Sequence, residues 1–186
     1  TFEGGALVTN DGKLKQRIDY LKNFGFAGET TVVAPGVNGK MNELQASFGM
    51  LQLKYIDQEI AKRRVISQQY RRTLEGVRGI RCLPVLSGVE PNFAYFPVFI
   101  DEAEFGVSRD RVYALMRERD ILVRRYFYPL ISDLASYRWL SSASKKELEN
   151  ARAVSEQVLC LPIFGDLETV VVDEVCELLL SSPGKS

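Results

Sequence analysis

The stretch Phe93-Ala94-Tyr95-Phe96-Pro97-Val98-Phe99-Ile100 is apolar at consecutive positions, so a strand built from it carries hydrophobic side chains on both faces. This pattern predicts a strand that is covered on both sides, or one that lines an aromatic pocket on one side. Pro97 lacks a backbone N–H and indicates an edge or an irregularity at that position. The stretch therefore predicts the sheet of a small α+β lobe over residues 93–180.

On the N-terminal side of this stretch, the pattern predicts a short strand, a helix, a long loop and two consecutive helices. Asn10 or Asp11 is expected to cap the first helix, and Asn42 begins the second. The remaining bounds are residues 5–9 for the strand, 25–40 for the loop and Asp57 to Gly76 for the last helix. The second helix carries an apolar stripe made of Leu44, Phe48, Leu51 and Tyr55. A domain boundary is expected between residues 76 and 92.

On the C-terminal side, Ser108 is expected to cap a helix whose apolar residues face inward. These inward residues are Val112, Leu115 and Met116. Further strands are predicted over residues 121–123 and 158–163, and further helices near 146–158 and 167–180. Strands and helices therefore interleave in this half of the chain.

The composition is that of a folded domain. The chain has 186 residues, of which 46% are hydrophobic, and this argues against intrinsic disorder. Lys and Arg together number 24, as do Asp and Glu, so the chain lacks the basic excess of most nucleic-acid-binding proteins. The sequence contains no apolar run of roughly 18 residues, the length that a membrane-spanning helix needs. We therefore expect neither a nucleic acid nor a membrane as a partner.

Histidine is absent, which excludes it as a general base, a general acid or a metal ligand in this chain. Cys82, Cys160 and Cys176 lie far apart and show no CxxC spacing. Neither a disulfide framework nor a zinc site is therefore expected. Cysteines used as small apolar residues suit a reducing compartment, so we expect a cytoplasmic protein without a bound metal.

The segment Gly36-Val37-Asn38-Gly39-Lys40-Met41-Asn42-Glu43-Leu44-Gln45 is a candidate phosphate site. Its glycines free the backbone for close approach to a ligand, Asn38 and Lys40 offer donors, and the helix N-terminus that follows favours an anion. The alternative is a Gly-rich turn before a capped helix, which is the more frequent arrangement. The spacing matches neither a P-loop nor a Rossmann turn, so both interpretations stay open.

The segment Arg124-Arg125-Tyr126-Phe127-Tyr128-Pro129 is a candidate site for a phosphorylated ligand that contains a ring. Guanidinium groups bind phosphate bidentately, and aromatic side chains stack on ring systems. The alternative is a strand end whose aromatic residues lie in the core and whose arginines are solvated. No nucleophile–base pair or carboxylate dyad stands out in the chain, so we assign no catalytic residue to it.

Several segments resemble the DegT-like nucleotide-sugar aminotransferases, a family of fold type I enzymes that use pyridoxal 5′-phosphate (PLP). They are residues 1–9 (TFEGGALVT), 21–25 (LKNFG) and 36–46 (GVNGKMNELQA). Residues 125–130 (RYFYPL) and 159–163 (LCLPI) fit the same family in order and spacing. The resemblance therefore covers nearly the whole chain.

The resemblance implies an α/β fold followed by an α+β fold. Residues 1–56 would be the end of the large PLP-binding domain, residues 57–76 a long linking helix and residues 77–186 the small C-terminal domain. In the family, the lysine that anchors PLP lies a few residues before the segment that matches residues 3–5. The resemblance therefore implies a C-terminal portion of such an enzyme, without the anchoring lysine.

The resemblance also implies binding residues. Asn38 matches an asparagine that in the family reaches the PLP phosphate of the other subunit. Tyr126 and Tyr128 match positions near the sugar nucleotide, and Arg125 is a candidate for binding its pyrophosphate. Lys40 is a further candidate for substrate binding because of the loop chemistry described above. Many members have a histidine soon after the Tyr-Pro pair, and this chain has none.

The function that the resemblance implies is PLP-dependent transfer of an amino group, usually from glutamate, to a keto 6-deoxy sugar linked to a nucleotide. Such a reaction belongs to the biosynthesis of deoxyaminosugars for cell-surface polysaccharides. Two alternatives stay open: a related sugar dehydratase with histidine in place of the anchoring lysine, and a non-catalytic fragment that dimerises or binds a sugar nucleotide. For the isolated chain we expect no covalently bound PLP, and we expect a homodimer or other self-association.

Overall fold

The computed structural model describes residues 3–144 and 146–184. The chain divides into two compact units, Thr1–Asp57 and Gln58–Ser186. The boundary expected between residues 76 and 92 lies inside the second unit, because the long helix before it buries Ile66, Tyr70 and Leu74 in that unit's core. The assignment of residues 1–56, 57–76 and 77–186 to the parts of a larger enzyme stays a prediction.

The described residues of the first unit form two helices, α1 (Gly12–Leu21) and α2 (Glu43–Leu53). The predicted caps are confirmed: the Asp11 side chain accepts hydrogen bonds from the backbone of α1, and the Asn42 side chain accepts one from Gln45 N at 2.8 Å. The strand predicted over residues 5–9 is wrong, because no second strand lies beside these residues in the described part of the unit. The long loop between the helices is confirmed.

Burial in the first unit is low. Among its described residues only Gly25 is buried, and α2 has no buried residue. The apolar stripe predicted along α2 is exposed, with Leu44 at 76% and Leu51 at 45%. In the described part of the unit, Leu44 and Leu51 therefore do not pack into a core.

The second unit is built on a three-stranded antiparallel sheet in the order β1 (Ile80–Cys82), β2 (Phe96–Ile100) and β3 (Val158–Leu161). The apolar stretch that predicts the sheet is confirmed as its central strand from Phe96 to Ile100, and residues 93–95 lie outside the strand. Pro97 pairs with Cys160 of β3 but lies beyond β1, whose pairing ends with Cys82 opposite Val98. Its missing N–H is therefore tolerated because β2 is an edge at that position. The short strand β1 is not predicted by the sequence pattern.

In the described part of this unit, five α-helices accompany the sheet: α3 (Ile56–Leu74), α4 (Glu102–Phe105), α5 (Arg109–Glu118), α6 (Glu149–Gln157) and α7 (Thr169–Leu180). Ser108 caps α5, as predicted, by accepting a hydrogen bond from Arg111 N. The core joins fully buried side chains of the sheet and helices, among them Tyr70, Val98, Val112, Met116, Leu159, Val172, Val175 and Leu179. The second unit thus has a hydrophobic core of its own.

The strand predicted over residues 121–123 is wrong. Ile121 N donates to Met116 O and Val123 N to Ile121 O, so these residues form the turn after α5. Only Arg124 pairs with the sheet, exchanging two backbone hydrogen bonds with Cys160. Within this segment, the backbone of Arg124 alone is hydrogen-bonded to β3. Arg125, the first residue of the candidate site, follows directly after this anchored position.

Candidate functional site

The loop of the first unit folds back on the end of α1. Val37 N donates to Leu21 O and Gly39 N donates to Lys22 O, both at 2.8 Å. Asn23 and Asn38 form an isolated antiparallel bridge. Asn38 is therefore held between two backbone anchors, while its exposed side chain makes no hydrogen bond to any described residue.

Gly36 and Gly25 are required by the packing of this loop. A Cβ at Gly36 would lie 2.4 Å from Gly25 N and 2.5 Å from Leu21 O, which is inside any allowed contact. Gly25 has φ +87°, a backbone conformation that favours glycine. The close approach predicted for these glycines is thus made to the chain's own backbone, and it shapes the loop that presents Asn38.

Lys40 lies beside this loop in a basic depression. Its Nζ donates to Asn23 Oδ1 at 2.6 Å and lies 5.0 Å from the centre of the Phe24 ring. Lys40, Lys15, Lys22 and Asp19 all line a cavity of about 560 Å³, and Asp19 forms ion pairs with Lys15 and Lys22. Three ammonium groups thus face one carboxylate, and the cavity suits an anion. Gly39 belongs to its lining and Asn38 does not.

The second unit brings five charged and aromatic side chains together in what we call the arginine cluster: Arg109, Asp110, Tyr113, Arg125 and Tyr128. Asp110 Oδ1 accepts hydrogen bonds from Arg109 Nε at 2.7 Å and from Arg125 Nη1 at 2.9 Å. The Arg125 guanidinium lies 4.3 Å from the Tyr113 ring centre and 5.0 Å from that of Tyr128. The Arg109 guanidinium lies 4.9 Å from the same Tyr128 ring.

Arg109 anchors the cluster to the sheet. Its side chain is only 2% exposed, and its Nη1 donates to the carbonyl oxygens of Ser155 and Val158 at 2.8 and 2.9 Å. These carbonyls lie at the junction of α6 and β3. The buried Arg109 side chain therefore fixes the cluster to the backbone at the start of β3.

The charge balance of the cluster is positive. Burial acts to raise the pKa of Asp110, but the hydrogen bonds and charges of Arg125 and Arg109 outweigh it and hold that pKa below its usual value. Asp110 is thus ionised at neutral pH and compensates one of the two guanidinium charges. Arg125 is 30% exposed, and the cavity beside Arg109, Asp110 and Tyr128 is also lined by three further carboxylates, those of Asp101, Glu102 and Glu156.

Tyr126 lies apart from the arginine cluster, although it is adjacent to Arg125 in the sequence. Its ring meets Tyr95 edge-on at 5.5 Å and stacks on Phe127 at 4.8 Å. It also packs against a small buried group made of Phe99, Val158 and Cys160. The structure thus brings Arg125 and Tyr128 together, whereas Tyr126 packs against the sheet.

Sequence reasoning missed Arg109, Asp110 and Tyr113 as members of a site. One signal was present: Arg109 is the first residue of α5, where a cation opposes the helix dipole. Because this position is unfavourable for a cation, an arginine found there indicates that its side chain forms a stabilising contact with another part of the protein. No group of Cys, Asp and Glu suited to a metal ion occurs in the part of the chain that the structure describes. In the same residues, no helix is both long and apolar enough to cross a membrane.

Comparison with known protein families matches residues 1–180 to the DegT/DnrJ/EryC1/StrS aminotransferase family. The chain belongs to this family. The match confirms the resemblance drawn from the sequence segments, and the family is one of PLP-dependent enzymes.

Two curated relatives carry the same name, dTDP-4-amino-4,6-dideoxy-D-glucose transaminase. The one from Escherichia coli is 50% identical over 96% of this chain, and the one from Shigella dysenteriae is 38% identical over 94%. The chain covers 48% and 47% of these relatives, respectively. The chain thus spans about half the length of the curated relatives it matches.

Solved structures of the family share the fold. The structure of DesI in the presence of its TDP-sugar product is 30% identical to this chain, with a TM-score of 0.83 over 95% of this chain and 44% of DesI. DesV of S. venezuelae, in complex with a ketimine intermediate, is 23% identical with a TM-score of 0.85 over 96% of this chain and 46% of DesV. The mixed helix and sheet architecture is therefore that of the PLP-dependent aminotransferases.

Proposed function

We propose that this chain forms part of a PLP-dependent nucleotide-sugar aminotransferase that transfers an amino group to a keto 6-deoxy sugar linked to dTDP. The observation that carries the proposal is the 50% identity, over 96% of the chain, to the E. coli dTDP-4-amino-4,6-dideoxy-D-glucose transaminase. Glutamate is the proposed amino donor, and a homodimer is the proposed assembly. The reducing compartment expected from the cysteines agrees with a cytoplasmic biosynthetic enzyme.

The loop around Asn38 fits the phosphate of PLP as one contributor to its binding. Its side-chain amide is exposed and has no partner among the described residues, so the N–H donors are free to meet phosphate oxygens. Lys40 and the basic cavity beside it would add a favourable field for an anion. When bound, PLP supplies the electron sink through which an amino group passes between a donor and a keto sugar.

The arginine cluster fits the nucleotide diphosphate of the substrate. Arg125 donates from Nη1 to Asp110, which leaves the other N–H groups of its guanidinium for charge-assisted bonds to pyrophosphate oxygens. The Tyr128 ring is 44% exposed and would stack on a ring of the ligand. Tyr126 lies apart from this cluster and lines a separate cavity together with Tyr95, so its proposed contact with the sugar nucleotide would be made there.

The test is a hybrid enzyme in which this chain replaces the matching 48% of the E. coli relative. We expect the hybrid, supplied with PLP, glutamate and the dTDP-linked 4-keto-6-deoxy sugar, to form the dTDP-linked amino sugar, which mass spectrometry detects. A folded hybrid that binds PLP and forms no product would contradict the proposal.

Two variants of the hybrid locate the contacts. Asn38→Ala should weaken PLP binding by about 10- to 100-fold, since a lost hydrogen bond to a charged group costs about 1.5–3 kcal/mol. Arg125→Met should raise the KM for the sugar nucleotide without changing PLP binding. Gln16→Ala, on the exposed face of α1, is the matched control and should change neither constant.

A further inference from the structure

The strongest unassigned feature of the second unit is a single carboxylate shared by two arginines. Asp110 Oδ1 accepts from Arg109 and Arg125 at 2.7 and 2.9 Å, and both guanidinium groups lie within about 5 Å of the Tyr128 ring. Arg109 is buried and fixed to the backbone of Ser155 and Val158. A chain of contacts therefore runs from the sheet to Arg125.

We propose that Asp110 is a positioning residue that holds Arg125 in the orientation that binds the diphosphate of the nucleotide sugar. This inference rests on the proposed function of the arginine cluster. Arg125 has a long side chain with several rotatable bonds, and its free rotamers must be frozen when a ligand binds. The bond to Asp110 and the contact with Tyr113 freeze them beforehand, so less binding energy is lost to ordering the side chain.

Asp110 is half-exposed, with 55% of its side chain accessible, whereas Arg109 beneath it is 2% exposed. An exposed aspartate would hold an arginine weakly if it were itself free to move. The second bond, from Arg109 Nε, fixes the carboxylate, because Arg109 is locked by two backbone carbonyls. Arg109 thus positions Asp110, and Asp110 positions Arg125.

A purely electrostatic effect of Asp110 and a positioning role of Asp110 predict opposite changes in diphosphate affinity for Asp110→Asn. The substitution removes a negative charge, so the net charge of the two arginines and the aspartate rises from one to two. If only charge mattered, a diphosphate would bind more tightly. If Asp110 positions Arg125, the same diphosphate binds more weakly, although the site has become more positive.

The experiment measures the affinity of the full 186-residue chain for dTDP and for inorganic pyrophosphate by NMR titration. We expect Asp110→Asn to weaken dTDP binding by about fivefold, the size expected from reordering one long side chain. Asp110→Glu should recover part of this loss. Glu104→Gln is the matched control, since it breaks a 2.6 Å ion pair with Arg78 in the same unit and should leave the affinity unchanged.

A double-mutant cycle tests whether Asp110 acts through Arg125. Arg125→Met should weaken dTDP binding, and Asp110→Asn should have an effect below about twofold in that background, because coupled residues are not additive. Unchanged or tighter binding by Asp110→Asn, or an equal loss in both backgrounds, would overturn the proposal. Absence of dTDP binding by the unsubstituted chain would overturn it as well.

The hybrid enzyme separates this inference from the proposed function. Asp110→Asn should raise the KM for the sugar nucleotide by about fivefold and leave kcat within about twofold, since positioning of a binding group acts on the substrate complex. A hybrid that forms product with the same KM in both forms would refute the role of Asp110 alone. A folded, PLP-loaded hybrid that forms no product would refute the proposed function.

Discussion

The two units of the chain differ in what holds them in shape. The second unit closes a hydrophobic core between its sheet and helices, with Val98, Val112 and Leu159 fully buried. The first unit buries only Gly25 among its described residues, and its loop is held by backbone hydrogen bonds and close glycine packing. The arginine cluster therefore lies on a unit with its own hydrophobic core, whereas the Asn38 loop belongs to a unit whose apolar side chains are largely exposed.

The difference in burial between the two units can be tested by making the same Leu→Ala substitution in each of them. Leu159→Ala empties a fully buried position of β3 and should lower the free energy of unfolding by about 2–5 kcal/mol. Leu44→Ala removes a side chain that is 76% exposed and should cost about 0.5 kcal/mol or less. Urea denaturation followed by circular dichroism measures both, and equal losses would show that the first unit has a core after all.

A second test concerns the packing of the Asn38 loop. Gly36→Ala places a methyl group against the backbone of Gly25 and Leu21 and should destabilise the loop by about 1–3 kcal/mol. Gly39→Ala is the matched control, because its nearest neighbour would be the Lys22 side chain at 3.4 Å. Amide hydrogen exchange of residues 36–40 reports the difference, and equal exchange rates in the two variants would refute the close packing.

The exposed apolar surface of the first unit predicts self-association. Replacing Leu44 and Leu53 of α2, which are 76% and 70% exposed, by Glu should weaken association by about tenfold or more. Leu122→Glu is the control in the second unit, since that residue is 59% exposed. Light scattering over a concentration series measures the effect. A monomer at every concentration, before any substitution, would contradict the expectation.

The smallest expected effect is the pH dependence of the Asp110 ion pairs. The folded-state pKa of Asp110 lies below its ordinary value, so its contribution is present above the unfolded-state pKa of about 3.9 and is lost as the pH falls through the folded-state pKa. Because the side chain is half-exposed, the contribution should be about 0.5 kcal/mol. The difference in unfolding free energy between the unsubstituted chain and Asp110→Asn should therefore vanish in acid. A difference that grows as the pH falls would contradict this prediction.

Local signals predict local structure well in this chain. The caps at Asp11, Asn42 and Ser108 are confirmed, because a cap depends only on the residue and the next turn of helix. The central strand is confirmed because it is apolar on both faces. Strand β1 is missed since it is only three residues long and contains Arg81, whose charge is accommodated over the Phe99 ring at 4.1 Å.

Features that depend on distant partners are predicted poorly. Residues 121–123 have the composition of a strand, but only Arg124 meets a partner, Cys160. The stripe on α2 has the spacing of a buried face, yet no residue of α2 is buried. Asp110 lies 15 residues before Arg125, so their ion pair appears only when the turn after α5 brings them together.

The most direct measurement follows the amino nitrogen of glutamate into the sugar product. The hybrid enzyme is incubated with PLP, the dTDP-linked 4-keto-6-deoxy sugar and ¹⁵N-labelled glutamate, and the sugar product is weighed by mass spectrometry. Our account predicts a dTDP-linked amino sugar one mass unit heavier than the product formed with unlabelled glutamate. A folded, PLP-loaded hybrid that returns the keto sugar without label would contradict the claim that this chain serves an aminotransferase.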